Sequence, residues 1–140
     1  MPTGGLIEDS AGNLYGATES AGANGGGTVF ELSPTANSWT LKVLADLPAG
    51  AGGPVAALTM DAAGNLYGTN YMNGANGVGS VFKLTNVSGS WKYQVLHDFA
   101  GAAGGSYPGG GVVLDSNGNL FGTAGSGGAY GWGVAYEITP

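Results

Sequence analysis

Three aspartates recur in one short oxygen-rich motif, where a bound metal ion would be sought first. Each begins an Asp-x-x-Gly-Asn sequence, and the three are Asp9, Asp61 and Asp115. Asp115, Asn117 and Asn119 offer hard oxygen ligands at alternating positions, a pattern that suits calcium. The first two copies carry Ala11 and Ala63 at the middle position. An aspartate that accepts backbone N–H bonds in a tight turn explains all three copies. We therefore expect structural turns and no cofactor, with the last copy as the calcium candidate.

The chain offers few residues for acid–base or nucleophilic catalysis, because it contains one histidine and no cysteine. His97 precedes Asp98, but the equivalent Asp46 recurs after Ala45, with no histidine beside it. A catalytic base needs a nucleophile and an orienting acid in reach, and the sequence pattern offers no such constellation. We expect a protein that is not an enzyme.

Polar and aromatic side chains are concentrated in glycine-rich segments that differ between the repeated units of the chain. They are Glu19, Asn24, Asn70, Tyr71, Asn73, Asn76, Tyr107, Tyr130 and Trp132. Aromatic rings beside amides suit a neutral polar ligand such as a glycan, and loops on a rigid scaffold commonly carry binding specificity. The alternative is that these segments are tight connectors, since glycine and asparagine dominate turns for backbone reasons alone.

The composition excludes several classes of partner. The 140 residues include only three lysines and no arginine against nine acids, for a net charge of −6. Such a chain cannot neutralise a phosphate backbone, so we expect no nucleic acid and no membrane among its partners. No apolar run approaches the roughly 20 residues of a spanning helix. The hydrophobic share of 43% argues for a folded chain despite 30 glycines.

An internal repeat organises the chain and positions these loops and turns. Residues 5–47 align on residues 57–99 without a gap, with 21 identities in 43 positions. The motif at Asp61 recurs 54 residues later at Asp115. Self-similarity at a period of about 50 residues is typical of repeat architectures.

Each repeat is predicted to contain four short strands, A to D. In the first unit these are Gly5–Glu8, Asn13–Thr18, Thr28–Leu32 and Trp39–Leu44. Valine, threonine and aromatic residues are concentrated in these runs, as pleated half-buried surfaces prefer. The chain is therefore predicted to be all-β. Four strands in about 50 residues fit a β-propeller blade, and a β-solenoid is the competing architecture.

The predicted blades span residues 4–47, 56–99 and 110–140, and the third lacks strand D. The order ABCD-ABCD-ABC amounts to about 2.75 blades, whereas propellers typically have 4–8. Left alone, the chain would expose blade faces and a bare strand edge. We expect homo-oligomerisation to complete the ring, through a homodimer with about six blades or, second, a homotrimer with about nine.

Several motifs together resemble the GloVer tandem repeat of bacterial surface proteins. They are Asp-x-x-Gly-Asn-Leu-Tyr-Gly, the glycine-rich loop, Gly-Thr-Val-Phe-Glu-Leu and Trp-x-x-x-Val-Leu. The resemblance covers nearly the whole chain and implies an exported protein of extracellular or cell-surface origin. More loosely, the A–B turn is similar to those of NHL-type and senescence-marker-protein β-propellers. The family implies no activity and no site residues.

The leading functional hypothesis is a non-enzymatic, self-assembling β-propeller that binds a neutral, carbohydrate-like ligand through its B–C and D–A loops. The alternative is a purely structural repeat unit of an exported protein, without a ligand. A hydrolase acting in the central channel is a more remote alternative, because oligomerisation would multiply each acid around an axis.

Overall fold

The computed structural model describes residues 1–50 and 52–139, and its strands form three antiparallel sheets. The first sheet contains β1 (Ile7–Glu8), β2 (Leu14–Thr18), β3 (Thr28–Pro34) and β4 (Trp39–Asp46). The second contains β5 (Thr59–Met60), β6 (Leu66–Asn70), β7 (Ser80–Val87) and β8 (Ser90–Asp98). The third contains β9 (Val113–Leu114), β10 (Leu120–Ala124) and β11 (Val134–Ile138). Neighbouring strands in each sheet follow the order of the chain.

The prediction of an all-β chain is confirmed, because the only helix in the described ranges is one 3-10 turn, Ala102–Gly104. No helix there is long and apolar enough to cross a membrane. Pro140, the last residue of the predicted third blade, lies outside the described residues. In the first unit the strand bounds differ slightly from expectation: the first and second strands are shorter and the third and fourth are longer. The first strand pairs with the second only through Ile7 and Glu8.

The three sheets stack face to face in chain order, with one apolar cluster between each successive pair. The first cluster joins residues of the first and second sheets, among them Tyr15, Val29, Leu58, Leu66 and Phe82. The second joins residues of the second and third sheets, among them Tyr67, Val81, Val112 and Leu120. Each sheet has two faces. We call the face directed toward the third-sheet end of the stack the forward face, and the face directed toward the first-sheet end the backward face. Within residues 1–50 and 52–139, the second sheet alone has a neighbouring sheet on both faces.

A glycine in the second strand of each sheet makes room for an aromatic ring on the third strand. The cross-strand pairs are Gly16 with Phe30, Gly68 with Phe82 and Gly122 with Tyr136. A Cβ atom at any of the three glycines would overlap the side chain of its partner. The ring therefore lies over the neighbouring strand, and glycine at this position is required by packing.

Candidate functional site

The turn between the first two strands of each sheet is held by its aspartate. In the second sheet, Asp61 Oδ1 accepts the backbone N–H groups of Ala63 and Asn65, each at 2.9 Å. Its Oδ2 accepts Asn65 Nδ2 at 2.8 Å and the Tyr67 hydroxyl at 3.0 Å. Gly64 completes the turn with a φ of 79°. Asp9 makes the same four contacts in the first sheet.

The calcium candidate has the same turn geometry. Asp115 Oδ1 accepts the N–H groups of Asn117 and Asn119 at 2.8 Å, and Oδ2 accepts Asn119 Nδ2 at 2.9 Å. The carboxylate thus faces donors of its own turn, and the amide of Asn119 presents nitrogen rather than oxygen to it. In residues 1–50 and 52–139, no group of three or more His, Cys, Asp or Glu side chains is arranged to hold a metal. The turn accounts for every contact of this motif, and calcium binding stays a prediction.

These hydrogen bonds shift the titration of the turn aspartates. Burial raises the pKa of Asp61, but bonds from Asn65, Tyr67 and Ala63 outweigh it and hold the pKa below the usual 3.8. The same balance lowers the pKa of Asp9 and of Asp115. Burial, the bond to Asp9 and the nearby charge of Glu31 raise the pKa of Tyr15 to about 12. At neutral pH, each turn therefore holds an ionised aspartate facing neutral donors.

The glycine-rich connections lie at the opposite end of the sheets from these turns, and we call that end the loop edge. Two of the asparagines predicted there as ligand-binding are buried. Asn70 Nδ2 donates to Ser80 Oγ at 3.0 Å and to the Tyr93 hydroxyl at 3.3 Å. Asn73 Nδ2 donates to the carbonyl oxygen of Pro48 at 2.6 Å. Asn70 thus joins three neighbouring strands of the second sheet, although its buried Oδ1 has no hydrogen-bond partner in the described structure. Asn73 fastens its loop to the linker that precedes β5.

Two further asparagines hold the loop edge together in the same manner. Asn24 Nδ2 donates to the carbonyl oxygen of Asp46 at 3.4 Å, and Asn76 Nδ2 to that of Phe99 at 2.9 Å. The backbone of Glu19 is bonded on both sides, its N–H to Met1 and its carbonyl oxygen to Gly53. These three predicted residues therefore fasten loops to strands and linkers in this conformation.

Four aromatic side chains from the predicted set remain accessible at the loop edge. Tyr71 and Tyr107 pack with ring centroids 5.4 Å apart. Tyr107 has a φ of 60°, uncommon for a bulky residue, and its backbone bonds to Val78 and Gly125 in the loops on either side. The other two rings, Tyr130 and Trp132, are 88% and 91% exposed in the loop between β10 and β11.

The single histidine lies on an edge strand beside a carboxylate with a structural role. His97 is exposed on β8, and its ring packs edge-on against Phe99 at 4.9 Å. Asp98 Oδ1 accepts the N–H of Ala75 at 2.8 Å, as Asp46 Oδ1 accepts that of Ala23 at 2.7 Å. The aspartate thus anchors a loop in both sheets, with or without a histidine beside it.

The sequence predicted exposed outer sheet faces but not the side chains that form them. On the backward face of the first sheet, Leu6 is 50% exposed, whereas its counterpart Leu58 in the second sheet is 3% exposed. On the forward face of the third sheet, Phe121 is 36% exposed, whereas its counterpart Tyr67 is 4% exposed. Aligning the repeats and marking alternate strand positions would have located both faces.

Comparison with known proteins identifies the repeat. A family model described as the Gloeobacter/Verrucomicrobia repeat matches residues 1–140. No curated protein and no solved structure gives a significant match. The looser similarity to NHL-type blades is not confirmed, whereas the GloVer resemblance is. The chain belongs to the Gloeobacter/Verrucomicrobia repeat family.

Proposed function

We propose that the protein is a non-enzymatic assembly unit whose three sheets are β-propeller blades, and that further copies of the chain complete the ring. Close approach of successive first strands supports this arrangement. A Cβ at Gly4 would overlap the backbone of Ala56, and one at Gly111 would lie 2.9 Å from the carbonyl oxygen of Ala57. Sheets that converge along their first strands have the wedge shape that a propeller requires around its axis.

The observation that best supports the proposed assembly is the apolar character of the two outer faces. The exposed large hydrophobic side chains include Leu6, Trp39, Leu41 and Val43 on the first sheet and Val113 and Phe121 on the third. Contiguous apolar surface of this kind is typical of protein–protein contacts. A chain with two such faces, one at each end, can join copies into a closed assembly.

Light scattering after size-exclusion chromatography, over a range of concentrations, tests the assembly. We expect a stable mass of two or three times the 13.7 kDa of one chain. Two copies of three sheets would give six blades and three copies nine. A folded monomer at every concentration would contradict the proposal. Activity on panels of glycoside and ester substrates would contradict its non-enzymatic part.

Binding of a neutral glycan at the loop edge is a second candidate function. It is favoured by the accessible rings of Tyr130 and Trp132 and by the Tyr71–Tyr107 pair. Tyr107 has strained backbone geometry, which is often found at ligand sites. Rings of this kind can cover the apolar face of a sugar.

A glycan panel with competition by free sugar tests this second candidate. We expect Trp132→Ala and Tyr71→Ala to abolish binding, while Val87→Ala, at an exposed position on β7, leaves it unchanged. Alanine variants that alter only local stability would instead support a structural unit without a ligand.

A further inference from the structure

We propose that copies of the chain join head to tail, with the forward face of the third sheet of one copy packed on the backward face of the first sheet of the next. This inference rests on the self-assembly proposed above and names the two faces that meet. Each open face is thus covered by a second copy of this chain. The two copies pack on each other as successive repeats pack within one chain.

The two junctions inside the chain supply the template. At the first, Tyr15 and Val29 on the forward face of the first sheet join Leu58 and Leu66 of the second sheet in one cluster. At the second, the equivalent Tyr67 and Val81 join the equivalent Val112 and Leu120 in another cluster. Both junctions therefore pack a forward face on a backward face through the same repeat positions.

The same repeat positions lie on the two outer faces, where no other sheet covers them. The forward face of the third sheet has a shallow groove lined by Gly111, Val113, Phe121, Gly122, Thr123 and Ala135. Phe121 and Ala135 are the counterparts of Tyr67 and Val81. The backward face of the first sheet presents Leu6 and Leu14, the counterparts of Val112 and Leu120. Repeating the internal junction would seat these two leucines in the groove.

One hydrogen bond would form only where a forward face packs on a backward face. At the second junction, Thr69 on the forward face of the second sheet donates its hydroxyl to the carbonyl oxygen of Gly110 at 2.9 Å, whereas Ala17 takes the same position at the first junction. Thr123 occupies the same position on the exposed forward face of the third sheet, and Gly4 is the counterpart of Gly110. The repeated junction therefore places the Thr123 hydroxyl on the carbonyl oxygen of Gly4 in the next copy.

Pairing of two identical faces has no counterpart in the chain. Two forward faces packed together would set Phe121 against Phe121, and the Thr123 hydroxyl would face another forward face rather than a first-strand carbonyl. Because every junction within the chain is forward on backward, the repeat geometry favours a heterologous contact, which closes into a ring when the rotation per copy allows it.

A mixing experiment with two face-blocking variants tests the pairing. Phe121→Glu blocks the forward face and Leu6→Glu blocks the backward face, since a charge buried at an apolar contact is strongly unfavourable. We expect each variant alone to have the mass of one chain, 13.7 kDa. An equimolar mixture should form a heterodimer of twice that mass and grow no further, because its remaining faces are both blocked. Val87→Glu, an exposed position on β7 away from both faces, should assemble as the unsubstituted chain does.

The outcomes separate this inference from the assembly on which it rests. A dimer formed by either blocked variant alone would overturn head-to-tail pairing while leaving self-assembly intact. An unsubstituted chain that stays monomeric would overturn both. Circular dichroism checks that each variant is folded. If one is not, Thr123→Arg and Leu41→Glu replace it, because both positions are exposed. A mixture of folded, complementary variants that remains monomeric would also overturn the pairing.

Discussion

The second sheet and the two sheets that flank it have nearly the same sequence pattern but different surroundings. Leu66 in the second sheet is fully buried, whereas its repeat counterpart Leu14 in the first sheet borders solvent. The local fold is alike, since both strands pair in the same register with the strand that follows. Burial at a repeat position is thus set by the neighbouring unit rather than by the unit itself, as expected for repeat proteins.

The largest expected difference between the sheets is at the leucine in their second strand. Leu66→Ala should lower the free energy of unfolding by about 3 kcal/mol, because it removes a fully buried side chain and leaves a cavity. Leu14→Ala should lower it by about 1 kcal/mol in the monomer, since solvent already reaches this face. Urea unfolding at low protein concentration measures both. Equal losses in the monomer would contradict the comparison, whereas losses that become equal only at high concentration would indicate that assembly covers Leu14.

The strand glycines should show the same contrast with a somewhat smaller effect. Gly68→Ala would drive a methyl group into Phe82 and to within 2.9 Å of Leu58 Cδ2, and both side chains are buried. We expect a loss of about 2 kcal/mol from this overpacking. Gly16→Ala meets Leu6 and Phe30, which border solvent and can shift, so its loss should be about 1 kcal/mol.

Gly104→Ala is the matched control for the strand glycines, because its Cβ would meet no atom within 4 Å. Thermal unfolding of the three variants in parallel checks the prediction. A neutral Gly68→Ala would show that the second sheet has room for a methyl group, contrary to its packing.

The turn aspartates should make the stability of the sheets depend on pH. A carboxylate with a lowered pKa in the folded state stabilises the protein above its unfolded pKa, near 3.8, and this contribution is lost as pH falls through the lower folded value. Asp61→Ala should lower stability at neutral pH by about 1 kcal/mol, because four donors lose their acceptor. It should also flatten the loss of stability in acid.

Asp115→Ala should have the smaller effect of the two turn variants. Phe121 replaces the tyrosine at that position, so Asp115 accepts from three groups instead of four. Unfolding by urea from pH 2 to pH 7 compares the variants. A larger acid dependence for the third turn than for the second would contradict this order.

The sequence predicted the secondary structure well because each repeat contains its own local signals. The Asp-x-x-Gly turns, the β-branched and aromatic runs and the repeat period together indicate four short strands per unit. The structure confirms an all-β chain and the family is confirmed as well. The aspartate turn was also predictable, since its bonds join residues at most six positions apart.

The candidate site was less predictable because its side chains depend on contacts between units. Asn73 resembles a surface loop residue in the sequence, yet its amide is bonded to Pro48, 25 residues away. Asn70 is buried and its amide donates to the Tyr93 hydroxyl, 23 residues away. Tyr130 aligns with Asn24 and Asn76, and no local signal separates an exposed ring from an amide that anchors a loop. Such long-range contacts are absent from local pattern and propensity.

An effect of the opposite sign, a gain in stability, is expected at Tyr136, one of the aromatic positions that differ between the stacked sheets. Tyr136 takes the position of Phe82, and its hydroxyl is buried without a hydrogen-bond partner in the described structure. Tyr136→Phe should therefore raise the free energy of unfolding by about 1 kcal/mol, since the unsatisfied polar group is removed. Phe82→Tyr is the reverse control and should lower it, because the same hydroxyl would enter the buried core of the second sheet.

The stability of the protein at alkaline pH provides a second measurement for Tyr136→Phe. Burial raises the pKa of Tyr136 to about 12 from an ordinary value of 10.0. The neutral hydroxyl is thus favoured in the folded state, so this contribution is fully present below pH 10 and is lost as pH rises toward 12. Tyr136→Phe should reduce the loss of stability between these values, although Tyr15 retains its own alkaline dependence. Urea unfolding at pH 8 and pH 11 measures the difference. A variant less stable than the unsubstituted chain at both pH values would mean that the Tyr136 hydroxyl has a hydrogen-bond partner in the folded protein.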